Sequence, residues 1–382
     1  MTNAQACEVL LLPHLPLAEP ARIGPWLLGP VNAHRWSSED IRSATEQLLA
    51  RHDATADPSA VVSLAGEEVG NPARYDLDAV MTLQRALTLS GLDGNPDVQD
   101  RGWAAYRAVS ADNLTIEGWT LDLDEGYFAT CRGQLIQEIR GGLQLDDTDS
   151  RVPVPVEIRH PEPITLDCEL ANAVLEYLTL AGSKASEPHW ERMGSAIDWL
   201  TLAWRNSASV GFAPRVVFLR TAFEALFPGK AHETAAALRD HFERFGAQAD
   251  IALDRTTSEL LWSPTESPVH EPNNRSDPLN TDLQEWFRVF NLTRNRIVHR
   301  GETSPATYDG PAMRYRGDFF WTGERIIREV IRTELSIAGY GDVWMRPDSR
   351  SLHRAAVEAI EKLERSANEA ESPGAESGNR KP

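Results

Sequence analysis

The sequence predicts a multidomain chain, with an N-terminal mixed α+β domain followed by an all-α helical bundle. Three observations carry that reading. The 382 residues exceed what one ordinary core holds. The first 150 or so mix alternating stretches with helical ones, whereas from about residue 165 the apolar residues recur at steps of three and four. Between them lies "DDTDSRVPVPVEIRHPEP", from Asp146, whose prolines and charges suit a connector or an edge strand.

In chain order, Glu8 to Leu12 reads as a strand. Pro13 and Pro16 break this apolar opening and no basic residue precedes it, so it does not fit a secretory signal. Ser38 caps a helix over "EDIRSATEQLLARH", and a second helix starts near Asp76 in "DLDAVMTLQRALTLSGL". Leu114 to Leu123 alternates as a strand, and "YFATCRGQLIQEI", from Tyr127, continues the sheet. "RGG" at 140–142 lacks the strand–turn–helix setting of a phosphate-binding loop. The domains are therefore placed at 1–150 (mixed α+β, role open), 151–164 (connector) and 165–345 (all-α).

The helical half opens near Asp167 with "LDCELANAVLEYLTLAG". The next helix sets Trp190, Met193, Ile197, Leu200 and Trp204 on one apolar stripe, with Trp199 also read as core. "APRVVFLRTAFEALFPG" runs from Ala213 to a stop at Pro228 and Gly229. "HETAAALRDHFERFG" follows, then a polar loop over 263–281 and a helix from Asp282. A long helix spans "FFWTGERIIREVIRTELSIAGYG". A C-terminal helix occupies 346–365, centred on Leu352 to Leu363, and a tail over 366–382 is too polar to order.

Composition narrows the function classes. With 41% hydrophobic and 25% charged residues the chain is ordinary for a globular protein, and it has no membrane-length apolar run. Cys7, Cys131 and Cys168 are odd in number and far apart, which suits neither a disulfide framework nor a zinc site. His232 and His241 are read as structural. "HETAA" at 232 lacks the second histidine of a metalloprotease helix. A cytoplasmic location is expected, with no metal and no cofactor. The net charge of −19 repels polyanions, so nucleic-acid binding needs a local basic patch. The window from Trp286 to Arg332 holds nine arginines against five carboxylates, a net of +4. Its arginines from 314 to 332 read as a solvated helix face.

Inside that window is "LTRNRIVHRG", residues 292 to 301. At about 100° per residue, Leu283, Trp286, Phe287, Phe290, Ile297 and Val298 share one face, and Arg294 falls among them. A guanidinium there needs acceptors, for which Glu224 in "RTAFEALF" is the expected partner. Asn291, Asn295 and His299 step by four along the neighbouring stripe. His299 sits about 140° round from Arg294, so the pair meets only if the last turn loosens or a second subunit supplies its own pair. An imidazole that exchanges protons, an arginine that grips phosphate and an asparagine that holds an oxygen suit metal-free RNA cleavage by 2′-hydroxyl attack. The alternatives are an Arg294–Glu224 packing pair and a histidine that merely ends a helix.

Arg294-Asn295-x-x-x-His299 near the end of a helix resembles the R-x4–6-H motif of the HEPN superfamily. "RVVFLRTAFEALF" followed by "LTRNRIVHRGE" is similar in particular to its Apea-like branch, over roughly residues 165 to 345. The resemblance implies a HEPN-like helical bundle and a metal-independent endoribonuclease of a stress, phage-defence or toxin–antitoxin system. It also implies a homodimer with facing motifs, RNA as substrate, and an antitoxin or inhibitor protein as a further partner. Arg294, His299 and Asn295 become the candidate catalytic residues, with Glu224, Arg220 and Asn291 supporting them. Arg288, Arg296 and Arg300 are the candidate RNA-binding residues. Other members of the superfamily are inactive and bind RNA, nucleotides or proteins, which is the alternative for this chain.

Overall fold

The computed structural model describes residues 7–15, 17, 19–51, 60–70, 75–93, 111–122, 127–129, 143–144, 164–183, 188–205, 212–229, 231–245, 282–301, 319–345, 350–351, 354–360 and 362. An N-terminal sheet is followed by a mostly helical remainder.

The strands are β1 (Cys7–Leu12), β2 (Ala21–Ile23), β3 (Trp26–Gly29), β4 (Arg35–Trp36), β5 (Ala60–Leu64), β6 (Glu68–Val69), β7 (Glu117–Asp122), β8 (Tyr127–Ala129) and β9 (Leu143–Gln144). Seven form one antiparallel sheet in the order β2-β3-β5-β1-β7-β8-β9, while β4 and β6 pair in parallel beside it. β1 is central and buried on both faces, which is why "VLLL" reads as a continuous apolar run rather than an alternation. Val9 and Leu11 join Val61, Trp119 and Leu121 under helix α1 (Glu39–Arg51). Leu10 and Leu12 face the opposite way, into the core shared with the helical half.

The expected helix starts are observed. The Ile41 amide donates to Ser38 Oγ at 3.2 Å and opens α1. The Asp78 amide donates to Asp76 Oδ1 at 3.1 Å at the head of α2 (Leu77–Asp93). The Leu170 amide donates to Asp167 Oδ1 at 3.1 Å at the head of α3 (Cys168–Ser183). Such caps satisfy amides that the first helical turn leaves open. The strand expected from Leu114 begins later, at Glu117. Ala111–Leu114 form a 3-10 turn that Gln84 of α2 secures: its amide donates to Leu114 O at 2.7 Å and its Oε1 accepts from the Ile116 amide at 2.6 Å.

The helical half continues with α4 (Pro188–Ala203), α5 (Phe212–Leu226), α6 (Ala231–Phe245), α7 (Asp282–Arg300) and α8 (Phe319–Ile337). Met193, Ile197, Leu200 and Trp204 are buried as their stripe predicts. Trp199 is half-buried against Phe218, with ring centroids 5.8 Å apart, and the Trp190 side chain lies outside the described residues. α4 packs on α5, and α5 and α6 both pack on α7. One apolar core runs from the inner face of the sheet through α2 and α3 to α7 and α8. Arg85 of α2 makes two bonds to Asp198 of α4, at 2.7 and 2.8 Å, across its edge.

The solvated face expected for the arginines of α8 is not what the helix presents. Arg328 and Arg332 are 5% and 3% exposed. Arg328 pairs with buried Glu324 one turn back, and Arg332 Nε donates to Val343 O at 3.1 Å. Opposite charges at the i,i+4 spacing neutralise each other inside the bundle. Arg314 and Arg316 lie outside the described residues, as do "RGG" at 140–142, Cys131, the His232 side chain, 151–163, the 263–281 loop and the 366–382 tail. At the other end of the chain, Arg350 makes a paired contact with Asp167 and also reaches Glu169 Oε2 at 3.2 Å. The segment after α8 is thereby tied to the start of α3.

Glu117 shares the α1-facing side of the sheet with Trp119 and Leu121. Burial pushes its carboxyl up to about 7, against a bond from the Trp119 indole N–H at 3.0 Å. The folded state thus holds the proton more tightly than the unfolded state, so stability falls as pH rises from the ordinary carboxylate value to about 7 and then levels off. In urea unfolding, Glu117→Gln should gain on the wild type by up to about 3 kcal/mol across that window. Parallel pH profiles for the two proteins would contradict this account of Glu117.

Candidate functional site

The site is built where α5 meets α7. Phe223 of α5 inserts among Trp286, Phe287 and Phe290 of α7, with centroids at 6.1, 5.2 and 6.0 Å, and Trp286 stacks on Phe290 at 4.9 Å. Gly323 lets α8 approach this cluster: a Cβ there would stand 2.6 Å from Leu219 Cδ2 and 3.1 Å from the Trp286 ring. α5 and α8 therefore fix the register of α7, and the polar stripe beside its aromatic face is held with it.

Arg220 occupies that stripe and is only 2% exposed. Its guanidinium lies over the Phe287 ring, 5.1 Å from the centroid. Its Nε donates to Asn291 Oδ1 at 3.2 Å, and its Nη2 stands 3.3 Å from Glu224 Oε1, one turn along α5. One turn further along α7, half-buried Arg294 donates from Nη1 to Asn295 Oδ1 at 3.1 Å. Arg220 Nη1 and Arg294 Nε are shielded from solvent and have no hydrogen-bond partner among the described residues. Burial lowers the Arg220 pKa, the Glu224 charge works against that, and the like charge of Arg294 lowers it further.

This corrects the expected partner of Arg294. Glu224 is bound by Arg220, its i,i+4 neighbour, while Arg294 is held by Asn295. The spacing of Arg220 and Glu224 in "RTAFE" was the signal that favoured the local pair.

His299 is exposed at the far end of α7, as is Arg300, while Arg296 is half-buried. Val298, expected on the buried face, is 47% exposed because the last turn extends past the helices that cover Phe290. α7 does not loosen at its end. The Gly301 amide donates to Ile297 O at 3.1 Å, an α-helical bond, and Gly301 then leaves with φ +67°. His299 therefore keeps its position about 140° round from Arg294 within one chain. The Arg288 side chain lies outside the described residues.

Among the described residues no group of three or more His, Cys, Asp or Glu side chains is placed to hold a metal ion. No helix there is long and apolar enough to cross a membrane. His241 is a satisfied core histidine, 1% exposed, with Nε2 2.7 Å from Thr333 Oγ1 and its ring edge-on to Phe242. No protein-family model matches the chain, and neither a curated protein nor a solved structure is detectably similar to it.

The arrangement offers donors and little else. The asparagine oxygens are taken up by the two arginines, so their amide nitrogens remain to donate. Arg220 faces one carboxylate, Glu224, that is 40% exposed, and Arg294 faces none among the described residues. If Arg220 served packing alone, its loss would be costly. As a binding group it should be expendable for stability, because Glu224 is already hydrated and a buried cation is a poor stabiliser. Arg220→Met should unfold in urea within about 1 kcal/mol of the wild type, or above it. A fall of about 3 kcal/mol or more would make Arg220 a packing element.

Proposed function

We propose that the protein is a metal-independent endoribonuclease that acts as a homodimer, an effector of the stress, phage-defence or toxin type. The observation that carries this reading is Arg294, whose shielded Nε has no hydrogen-bond partner among the described residues, on the same helix as a solvent-exposed His299. The HEPN-like motif and the helical half that contains it support the reading.

The reaction follows from the residue types. The 2′-hydroxyl oxygen forms a bond to the adjacent phosphorus and the bond from phosphorus to the 5′ oxygen breaks. The imidazole of His299 takes the 2′-hydroxyl proton, and the imidazolium so formed, or a water it hydrogen-bonds, returns a proton to the departing 5′ oxygen. Arg294 offsets the charge that builds on the phosphoryl oxygens, and Asn295 orients Arg294. The 2′,3′-cyclic phosphate and the 5′-hydroxyl are the products. Because the last turn of α7 is regular, His299 and Arg294 of one chain do not converge. A second copy therefore supplies the imidazole opposite each arginine. An enzyme of this kind in its own cytoplasm needs restraint, so an inhibitor or antitoxin protein belongs to the proposal.

A second reading has its own observation. The unbroken helix separates His299 from Arg294, and Arg328 and Arg332 of the basic window are bound inside the fold. On that reading the helical half is a non-catalytic module that binds RNA, a nucleotide or a partner protein, and binding survives His299→Ala with no cleavage products.

The test incubates pure full-length protein with tRNA or mRNA in EDTA. Cyclic-phosphate ends are expected, and Arg294→Ala and His299→Ala should each slow cleavage by about 10²–10⁴-fold. Mixing the two variants under subunit exchange should restore about a quarter of the wild-type rate, because half of the dimers then hold one intact composite site. No cleavage, or equal cleavage by His299→Ala, would sink the enzyme, and no recovery on mixing would sink the shared site.

A further inference from the structure

We infer that Arg220 and Arg294 together seat one phosphodiester group, and that Glu224 sets this preference by holding the seat at a net charge of +1. Beyond the nuclease reading, which needs only Arg294 and His299, this assigns a second phosphate-binding guanidinium and a charge selector, and it holds whether or not cleavage occurs.

The first argument is unmet hydrogen bonding. A buried charged donor without an acceptor costs more than a neutral one, and buried donors are nearly always satisfied. Arg220 Nη1 and Arg294 Nε both lack an acceptor among the described residues. They belong to guanidiniums anchored on successive turns of α7, at Asn291 and Asn295. An anion with several oxygens answers both at once, and guanidinium forks match the oxygens of phosphate.

The second argument is charge. Arg220, Arg294 and Glu224 sum to +1. In a half-buried site the occupant that cancels this is a monoanion. A phosphodiester carries one negative charge, whereas a terminal phosphate carries nearly two at neutral pH. With Glu224 in place a diester is matched and a dianion is left in excess. With Glu224 neutralised the seat rises to +2 and the order reverses. Binding requires the half-buried Arg294 head to turn from Asn295 and, with it, Arg220 Nη1 to open to the anion.

The test measures binding at pH 8 to full-length protein by calorimetry. The probes are a deoxydinucleoside monophosphate, which has one internal diester and no 2′-hydroxyl to react, and a deoxynucleoside 5′-phosphate. The wild type should prefer the dinucleotide. Arg220→Met and Arg294→Met should each weaken it by about tenfold or more, in line with loss of a charge-assisted bond. Glu224→Gln, at a partly exposed position, should invert the order of the two probes. His299→Ala should keep the wild-type order of the two probes while slowing RNA cleavage by about 10²–10⁴-fold. Wild-type binding by Arg220→Met, or an unaltered probe order in Glu224→Gln, would overturn the seat. Binding that obeys these expectations in a protein that cuts no RNA would end the nuclease reading and leave the seat standing.

Discussion

A guanidinium cannot shed its charge, and Arg220 is sealed between α5 and α7. That constraint organises the surrounding structure. The Phe287 ring below it, Asn291 Oδ1 beside it and Glu224 at its rim are the groups that make the position tolerable. Among the described residues they leave its Nη1 without an acceptor, and Arg294 Nε is in the same situation. Glu224 offsets only one of the two cations, and the charge left over is what the proposed anion seat uses.

The scaffold that holds them is continuous with the sheet. β1 is buried on both faces, and its α2-facing side belongs to the same apolar core as Phe223, Trp286 and Ile326. Gly323 brings α8 down onto the aromatic cluster, and the ion pairs of α8 are spent inside the fold rather than on its surface. α7 is thus clamped along its aromatic length and released only at Val298 to Arg300, where the side chains are exposed. The dimer proposed above follows from this, because Arg294 and an exposed His299 lie about 140° apart on one regular helix and each copy would present what the other lacks.

Much of the fold was legible because its signals are local. Ser38, Asp76 and Asp167 announce their helices through a side-chain cap, and the steps of three and four in α4 predict the buried stripe from Met193 to Trp204. The β2–β3 hairpin was missed because its strands are three and four residues long, although Gly24 and Pro25 mark the turn. Gly24 holds φ +56° there, with its amide on Asn172 of α3, a partner 148 residues away that no local pattern reveals. Within the site, the polar stripe of α7 was readable from spacing. The burial of Arg328 and the exposure of Val298 were not, because both depend on where neighbouring helices begin and end.

The proposed anion seat requires Arg220 and Arg294 to act on one ligand. The most direct measurement follows the Nε–H signals of ¹⁵N-labelled arginine by NMR while dimethyl phosphate, the smallest stable phosphodiester monoanion, is added. The account predicts that the Arg220 and Arg294 signals, assigned by their methionine variants, shift together along one saturable curve. Shifts confined to surface arginines, or two independent curves for this pair, would contradict it.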